Sequence, residues 1–216
     1  LMNLPMFFRS RRGDMVGFLK QLVLAESPTS DKKAVDACSS LFLTKCGRLG
    51  IRHTRFPQRG YGDFHLLEYP AKDDDRLDGR LLVLTHIDTV WPVGRLAAMP
   101  FYLQGDKIFG PGVLDMKAGL VLAASALGAL RELNIRPRRR IALFINSAEE
   151  TGCEEAHEII RAQAKAAGAA AAGRVFRAPG RERRPGAVRA SLRAPLRRSS
   201  LIRDLRLLHP TKRGSQ

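Results

Sequence analysis

Cysteine is scarce in this 216-residue chain: Cys38, Cys46 and Cys153 are all there is, with no pairing pattern. That excludes a disulfide scaffold and matches a reducing compartment, so a cytoplasmic setting is expected. Long apolar runs are missing too. The longest uncharged one, Ala118 to Leu130, falls short of the ~20 residues that cross a bilayer, so no membrane partner is expected. The apolar stretch from Met2 to Phe8 is too short for a secretory signal. Leu1 stands where an initiator methionine would, which reads as a fragment or an alternative start. Acidic residues are outnumbered 21 to 37 by lysine and arginine, giving a net charge of +16. This excess is uneven. Residues 166–216 hold 13 basic and 2 acidic residues, whereas the rest of the chain holds 24 and 19. The near balance of that larger part argues against nucleic acid as its partner.

What is present is enough apolar sequence, 44% of residues, for a substantial core. Helical spacing begins at Asp14 (Phe18, Leu22, Val23), breaks at Ser27-Pro28-Thr29-Ser30 with N-cap chemistry, and resumes from Ala34 to Leu49 before Gly50. Short strands are predicted over Ile51–Phe56 and Phe64–Tyr69, then a solvated loop over Ala71–Gly79 and a buried-type strand over Arg80–Thr85. A long helix over Met116–Leu133, a strand over Ile141–Ile145 and a helix over Glu154–Lys165 follow. Strands alternating with helices predict an α/β fold, a mostly parallel sheet covered by helices on both faces.

Open α/β sheets bind ligands at the carboxyl ends of their strands. Two such ends are rich in polar residues. One is His86-Ile87-Asp88-Thr89-Val90, and the other is Asn146-Ser147-Ala148-Glu149-Glu150-Thr151-Gly152. Between them Gly110-Pro111-Gly112 leads into Asp115-Met116-Lys117-Ala118-Gly119 at a helix start. His86, Asp115 and Glu150 are metal-ligand types, and histidine with carboxylates suits Zn²⁺. Asp88, two residues past His86, is placed to accept its other ring N–H. Asp115 has two oxygens with which to bridge two ions. Glu149 then remains free to take a proton from water. Singly, each motif has a plainer reading as a hydrogen-bonded pair, a turn or a solvated helix start.

Taken in order, His86-x-Asp88-x-Val90, Gly110-Pro111-Gly112 with Asp115-Met116-Lys117-x-Gly119, and Glu149-Glu150-x-Gly152 resemble the signature motifs of the dinuclear zinc exopeptidases and deacylases. The branch is the glutamate carboxypeptidase-like one, with acetylornithine deacetylase and succinyl-diaminopimelate desuccinylase, and the resemblance covers roughly Met15 to Lys165. It implies two zinc ions, with His86 on one, Glu150 on the other and Asp115 bridging. Asp88 would orient His86, and Glu149 would be the general base. An Asp115–Met116 peptide in the cis form is common in the family. Implied substrates are peptides or N-acyl amino acids, and the family dimerises through an inserted lid domain.

The pattern then departs. The resemblance calls for an acidic ligand before a proline, but Arg174-Val175-Phe176-Arg177-Ala178-Pro179 carries none, and His209 follows no lid domain. Residues 1–165 therefore read as the N-terminal part of a catalytic domain without its lid. Residues 166–216, rich in arginine, alanine and proline, read as a disordered tail, with a reading-frame slip at Ala166–Gly173 as the favoured origin. With the ligand set incomplete, the chain is expected to be inactive or impaired as a hydrolase. The alternatives are a non-catalytic interaction module and a basic arm that binds nucleic acid. His53, His65 and His157 read as surface or capping residues, and Cys38 and Cys46 as small apolar ones.

Overall fold

The computed structural model describes residues 3–71, 80–167 and 169–172. In chain order these form α1 (Leu4–Ser10), α2 (Arg12–Leu24), α3 (Lys32–Gly47), β1 (Arg52–Phe56), β2 (Phe64–Tyr69), β3 (Arg80–His86), β4 (Tyr102–Gln104), β5 (Lys107–Phe109), α4 (Ala118–Glu132), β6 (Arg140–Asn146), α5 (Glu154–Lys165) and β7 (Ala169–Ala172). The strands of the main sheet run in the order β1-β2-β6-β3-β7, while β4 and β5 pair separately.

The sheet is mixed rather than mostly parallel. β3 runs parallel to β6 and β7, but β2 is antiparallel to both β1 and β6. Loop length accounts for the first of these pairs: the link between β1 and β2 is short, and a parallel pair needs a crossover of a dozen residues or more. The parallel part places the site. Its connections run from β3 through α4 to β6, then from β6 through α5 back past β3 to β7. Right-handed crossovers in opposite directions put α4 and α5 on opposite faces, which opens a crevice at the adjoining carboxyl ends of β3 and β6. There His86 is in register with Asn146.

One face of the sheet, with Leu67, Leu143 and Ile145, joins the apolar faces of α2, α3 and α4 in a core around Leu22, Phe42 and Leu120. On the other face Leu66, Leu82, Ala142 and Phe144 are buried as well. Burial on both faces explains why β3 and β6 are apolar almost throughout. By length and composition alone, Val113–Glu132 is long and apolar enough to cross a membrane. Its continuous helix covers only Ala118–Glu132, about 22 Å at the α-helical rise. Leu120, Val121, Ala124 and Leu127 are buried in the core.

Three local expectations change. The helix predicted from Met116 starts at Ala118, because Val113–Lys117 is an irregular turn in which Asp115 is extended at φ −124°, ψ 99°. The Asp115–Met116 peptide is cis. The sheet also continues past Lys165, since β7 pairs with β3 and takes an edge that a boundary at 165 leaves open. Residues 174–179, where the resemblance calls for an acidic ligand, and everything after them, including His209, lie outside the described residues. Finally, His65 is buried in β2, not on the surface, and its Nδ1 lies 3.0 Å from His53 Nε2.

Burial first, and then the His53 ring, hold the His65 pKa down at about 4 against an ordinary 6.5. Below the unfolded value the unfolded chain binds a proton that the folded chain refuses, so stability is full above it and is lost as pH falls toward 4. Thermal melts between pH 7 and 4 should show a falling midpoint, with a smaller fall in His65→Leu. Equal falls in the two proteins would contradict this.

Candidate metal centre

The ladder between β3 and β6 extends one residue past His86, where Ile87 N donates to Asn146 O at 2.9 Å. Each chain then turns. On the β6 side Asn146 Oδ1 accepts from Ala148 N at 2.9 Å, and Ser147 Oγ donates to Asp63 O at 2.7 Å. Gly152, at φ +73°, closes the turn that presents Glu149 and Glu150. Asp115 arrives from the Gly110-Pro111-Gly112 turn. Gly112 has φ +69°, and a Cβ there would lie 2.6 Å from Thr89 Cγ2, so the two loops approach only because it is glycine. Lys117, almost fully buried, fastens this segment to α2 by donating to Leu22 O at 2.7 Å.

These loops bring His86, Asp115 and Glu150 together, with ligand atoms all within 4.8 Å of one another. His86 is buried, its Nε2 lies 2.9 Å from Asp115 Oδ1, and the Asp115 side chain is 72% exposed. The site is therefore closed from below and open on the Asp115 side. The other ring nitrogen of His86 does face Asp88. Its nearer partner is the Asp88 main-chain O at 3.1 Å, with the Asp88 carboxylate at 3.4 Å.

Asp88 is fully buried and joins the loops. Its Oδ1 accepts from Glu149 N and its Oδ2 from Glu150 N, each at 3.2 Å, and Oδ2 also accepts from Thr29 Oγ1 at 2.7 Å. Glu149 and Glu150 are thus oriented through their own backbone by the aspartate that faces His86.

Four carboxylates around one imidazole make the centre electron-rich. Burial lowers the His86 pKa, but hydrogen bonds to Asp115 and Asp88 outweigh it and lift it to about 10. Burial raises Glu150 to about 7 against the opposing pull of His86, and the neighbouring carboxylates add to the rise. Burial likewise raises Glu149. A centre that holds a proton this firmly on histidine and destabilises charge on glutamate is short of positive charge, which a divalent cation supplies. The donor set fits such an ion: one imidazole and two carboxylates stand at ligand spacing.

Sequence reasoning took Ser27-Pro28-Thr29-Ser30 as a helix cap, but the cap of α3 is Asp31, which accepts from Ala34 N at 3.0 Å. Ser27 and Thr29 bond instead to the loop after β3. Asp63 and Ser147 were also missed as anchors of the β6 loop. Their partners are some 60 to 84 residues away in the chain, so no local spacing pairs them. Cys153 donates to Glu155 at 2.9 Å and takes no part in the ligand cluster.

Carboxypeptidase G2 of Pseudomonas sp. (strain RS-16) is 32% identical over 151 residues, which cover 69% of this chain and 35% of that enzyme. The model of peptidase family M20/M25/M40 matches residues 82–190, half of the chain, with all five site residues inside the match. The chain belongs to peptidase family M20/M25/M40. It spans about a third of the length of carboxypeptidase G2. The family match continues to residue 190, so the first part of the arginine-rich stretch aligns with the family. Among solved structures, human carnosine dipeptidase 1 superimposes with a TM-score of 0.67 at 19% identity, over 77% of this chain and 39% of that one. Aminopeptidase PepT from Bacillus cereus ATCC 10987 gives 0.60 at 24% identity, over 73% and 42%. At these identities the two likenesses show the fold, that of an α/β domain shared with known peptidases.

Proposed function

We propose that His86, Asp115 and Glu150 hold a zinc ion and that the centre serves hydrolysis of the amide bond of a peptide or N-acyl amino acid. The single observation that carries this reading is the convergence of the three ligand side chains at the β3–β6 crevice, with Glu149 beside them. When bound, zinc polarises a scissile carbonyl and eases deprotonation of a water molecule. Glu149, with its pKa raised by burial, takes the proton from that water and returns it to the leaving amine. Asp88 holds His86 and both glutamate backbones in place while this happens. Substrate would enter from the exposed side of Asp115, whose second carboxylate oxygen would be available to a second ion. Among the described residues, only these three ligands converge. We therefore expect the 216-residue chain to bind one zinc firmly and to turn over slowly.

The test is hydrolysis of an N-acyl amino acid by the zinc-loaded chain. Activity should vanish with a chelator, return with zinc, and be lost in Glu149→Gln, which keeps its metal. Hydrolysis that survives chelation, or that Glu149→Gln retains in full, would overturn the reading.

A further inference from the structure

The segment between α2 and α3 behaves as a short extra strand laid along the loop after β3. Thr89 N donates to Ser27 O at 2.8 Å, Thr29 N donates to Thr89 O at 3.2 Å, and Pro28 and Thr89 form a parallel bridge. Ser27 Oγ adds a hydrogen bond to Ile87 O at 2.7 Å. All three of the polar residues in this contact, Ser27, Thr29 and Thr89, are buried. The N-terminal helix pair is thereby stitched to the backbone on both sides of Asp88.

Of the groups that face the Asp88 carboxylate, one stands apart. Glu149 N, Glu150 N and the His86 ring all belong to the loops that the aspartate has to position. The Thr29 hydroxyl alone comes from a different part of the fold, and at 2.7 Å it is also the shortest of these contacts. A hydroxyl donating to a carboxylate makes a short, charge-assisted bond, and the branched Thr29 side chain has little χ1 freedom. The exposure of Thr29 is 4%, which leaves no room for solvent to replace the donor.

We propose that Thr29 is a positioning residue of the metal centre: by fixing the rotation of the Asp88 carboxylate, it sets the aim of His86 and of the Glu149–Glu150 backbone. Without its hydroxyl, Asp88 keeps only donors that move with it, and the carboxylate turns. The Glu150 amide, which shares Oδ2 with Thr29, is the first to lose its acceptor. Both glutamates and His86 then sample wider angles, and the ligand triad is less often in its binding geometry. This inference rests on the zinc reading for its effect on metal affinity, but its structural half, the aim of Asp88, does not need the ion.

The experiment compares the unchanged chain with Thr29→Val, nearly the same in shape but without the hydroxyl, and Thr29→Ser, which restores it. Zinc affinity is read by competition with a chromophoric chelator, and ligand geometry by the visible absorption of Co²⁺ added alone. In the metal-free proteins, hydrogen exchange of the Glu149 and Glu150 amides is followed by NMR. Thr29→Val should bind zinc about 10- to 100-fold more weakly, the usual effect of removing a group that orients a ligand. It should also shift the Co²⁺ spectrum and speed exchange at both amides, with Glu150 affected more, while Thr29→Ser reverses all three. The proposal is overturned if Thr29→Val keeps its zinc affinity within twofold and its amide protection unchanged, or if Thr29→Ser is as impaired as Thr29→Val. Should Thr29→Val not fold, Thr29→Ala takes its place with the same expected and contrary results. Absence of zinc binding by the unchanged chain would refute the zinc reading, and the amide exchange would still decide the role of Thr29.

Discussion

Asp115→Ala is expected to lower the zinc affinity of the chain by about 10²- to 10³-fold. A structural zinc ion gains roughly 10–16 kcal/mol from four ligands, so each ligand contributes about 3–4 kcal/mol, and every 1.4 kcal/mol is a factor of ten. In the metal-free chain His86 Nε2 lies 2.9 Å from Asp115 Oδ1, a contact that a bound ion replaces, so the expected loss is that of Asp115 as a ligand. The fold should tolerate the change, because the Asp115 side chain is 72% exposed. Chelator competition together with a thermal melt separates the two effects. An unchanged melt with a large loss of affinity is the expected pair of results, and affinity within threefold of the unchanged chain would remove Asp115 from the ligand set.

Asp88→Ala should act in the opposite sense, on stability before affinity. It removes the acceptor for two backbone amides and one buried hydroxyl. Each buried donor left unpaired costs about 1–3 kcal/mol. Against this, one of four neighbouring carboxylates is gone and their mutual repulsion falls. The lost acceptors win, because Asp88 is fully buried while Asp115 and the glutamates retain contact with solvent. A net loss of about 2–4 kcal/mol follows, or roughly 5–15 °C in the thermal midpoint of a domain this size. Asp88→Asn, which keeps one acceptor oxygen, should lose about half as much. A midpoint unmoved in Asp88→Ala would mean that the loops are held by something else.

The strands β3 and β6 were legible because burial on both faces leaves an uninterrupted apolar run, and His86 and Glu149-Glu150 because polar residues directly after such a run stand out. α5 was legible to the residue, since a helix with charged first and last turns announces its ends. The direction of β2 was not, because apolar pattern carries no sign for parallel against antiparallel pairing. Met116 and Lys117, the end of the turn over Val113–Lys117, read as helix, since nothing in Met116-Lys117-Ala118-Gly119 marks where the apolar period starts to be helical. Thr29 and Asp63 were invisible as site residues for a different reason. Each is an ordinary turn or loop residue locally, and acquires its role only from a partner that the fold brings from far along the chain. His65 was misplaced because nothing in Phe64-His65-Leu66-Leu67-Glu68-Tyr69 marks that β2 is buried on both faces.

Anomalous scattering at the zinc edge, from crystals of the chain grown with zinc, tests the central claim most directly. The account predicts a peak bounded by His86 Nε2, a carboxylate oxygen of Asp115 and one of Glu150, at zinc–ligand distances of about 2.0–2.2 Å. A zinc peak elsewhere on the chain with that crevice empty, or no peak at all, would contradict it.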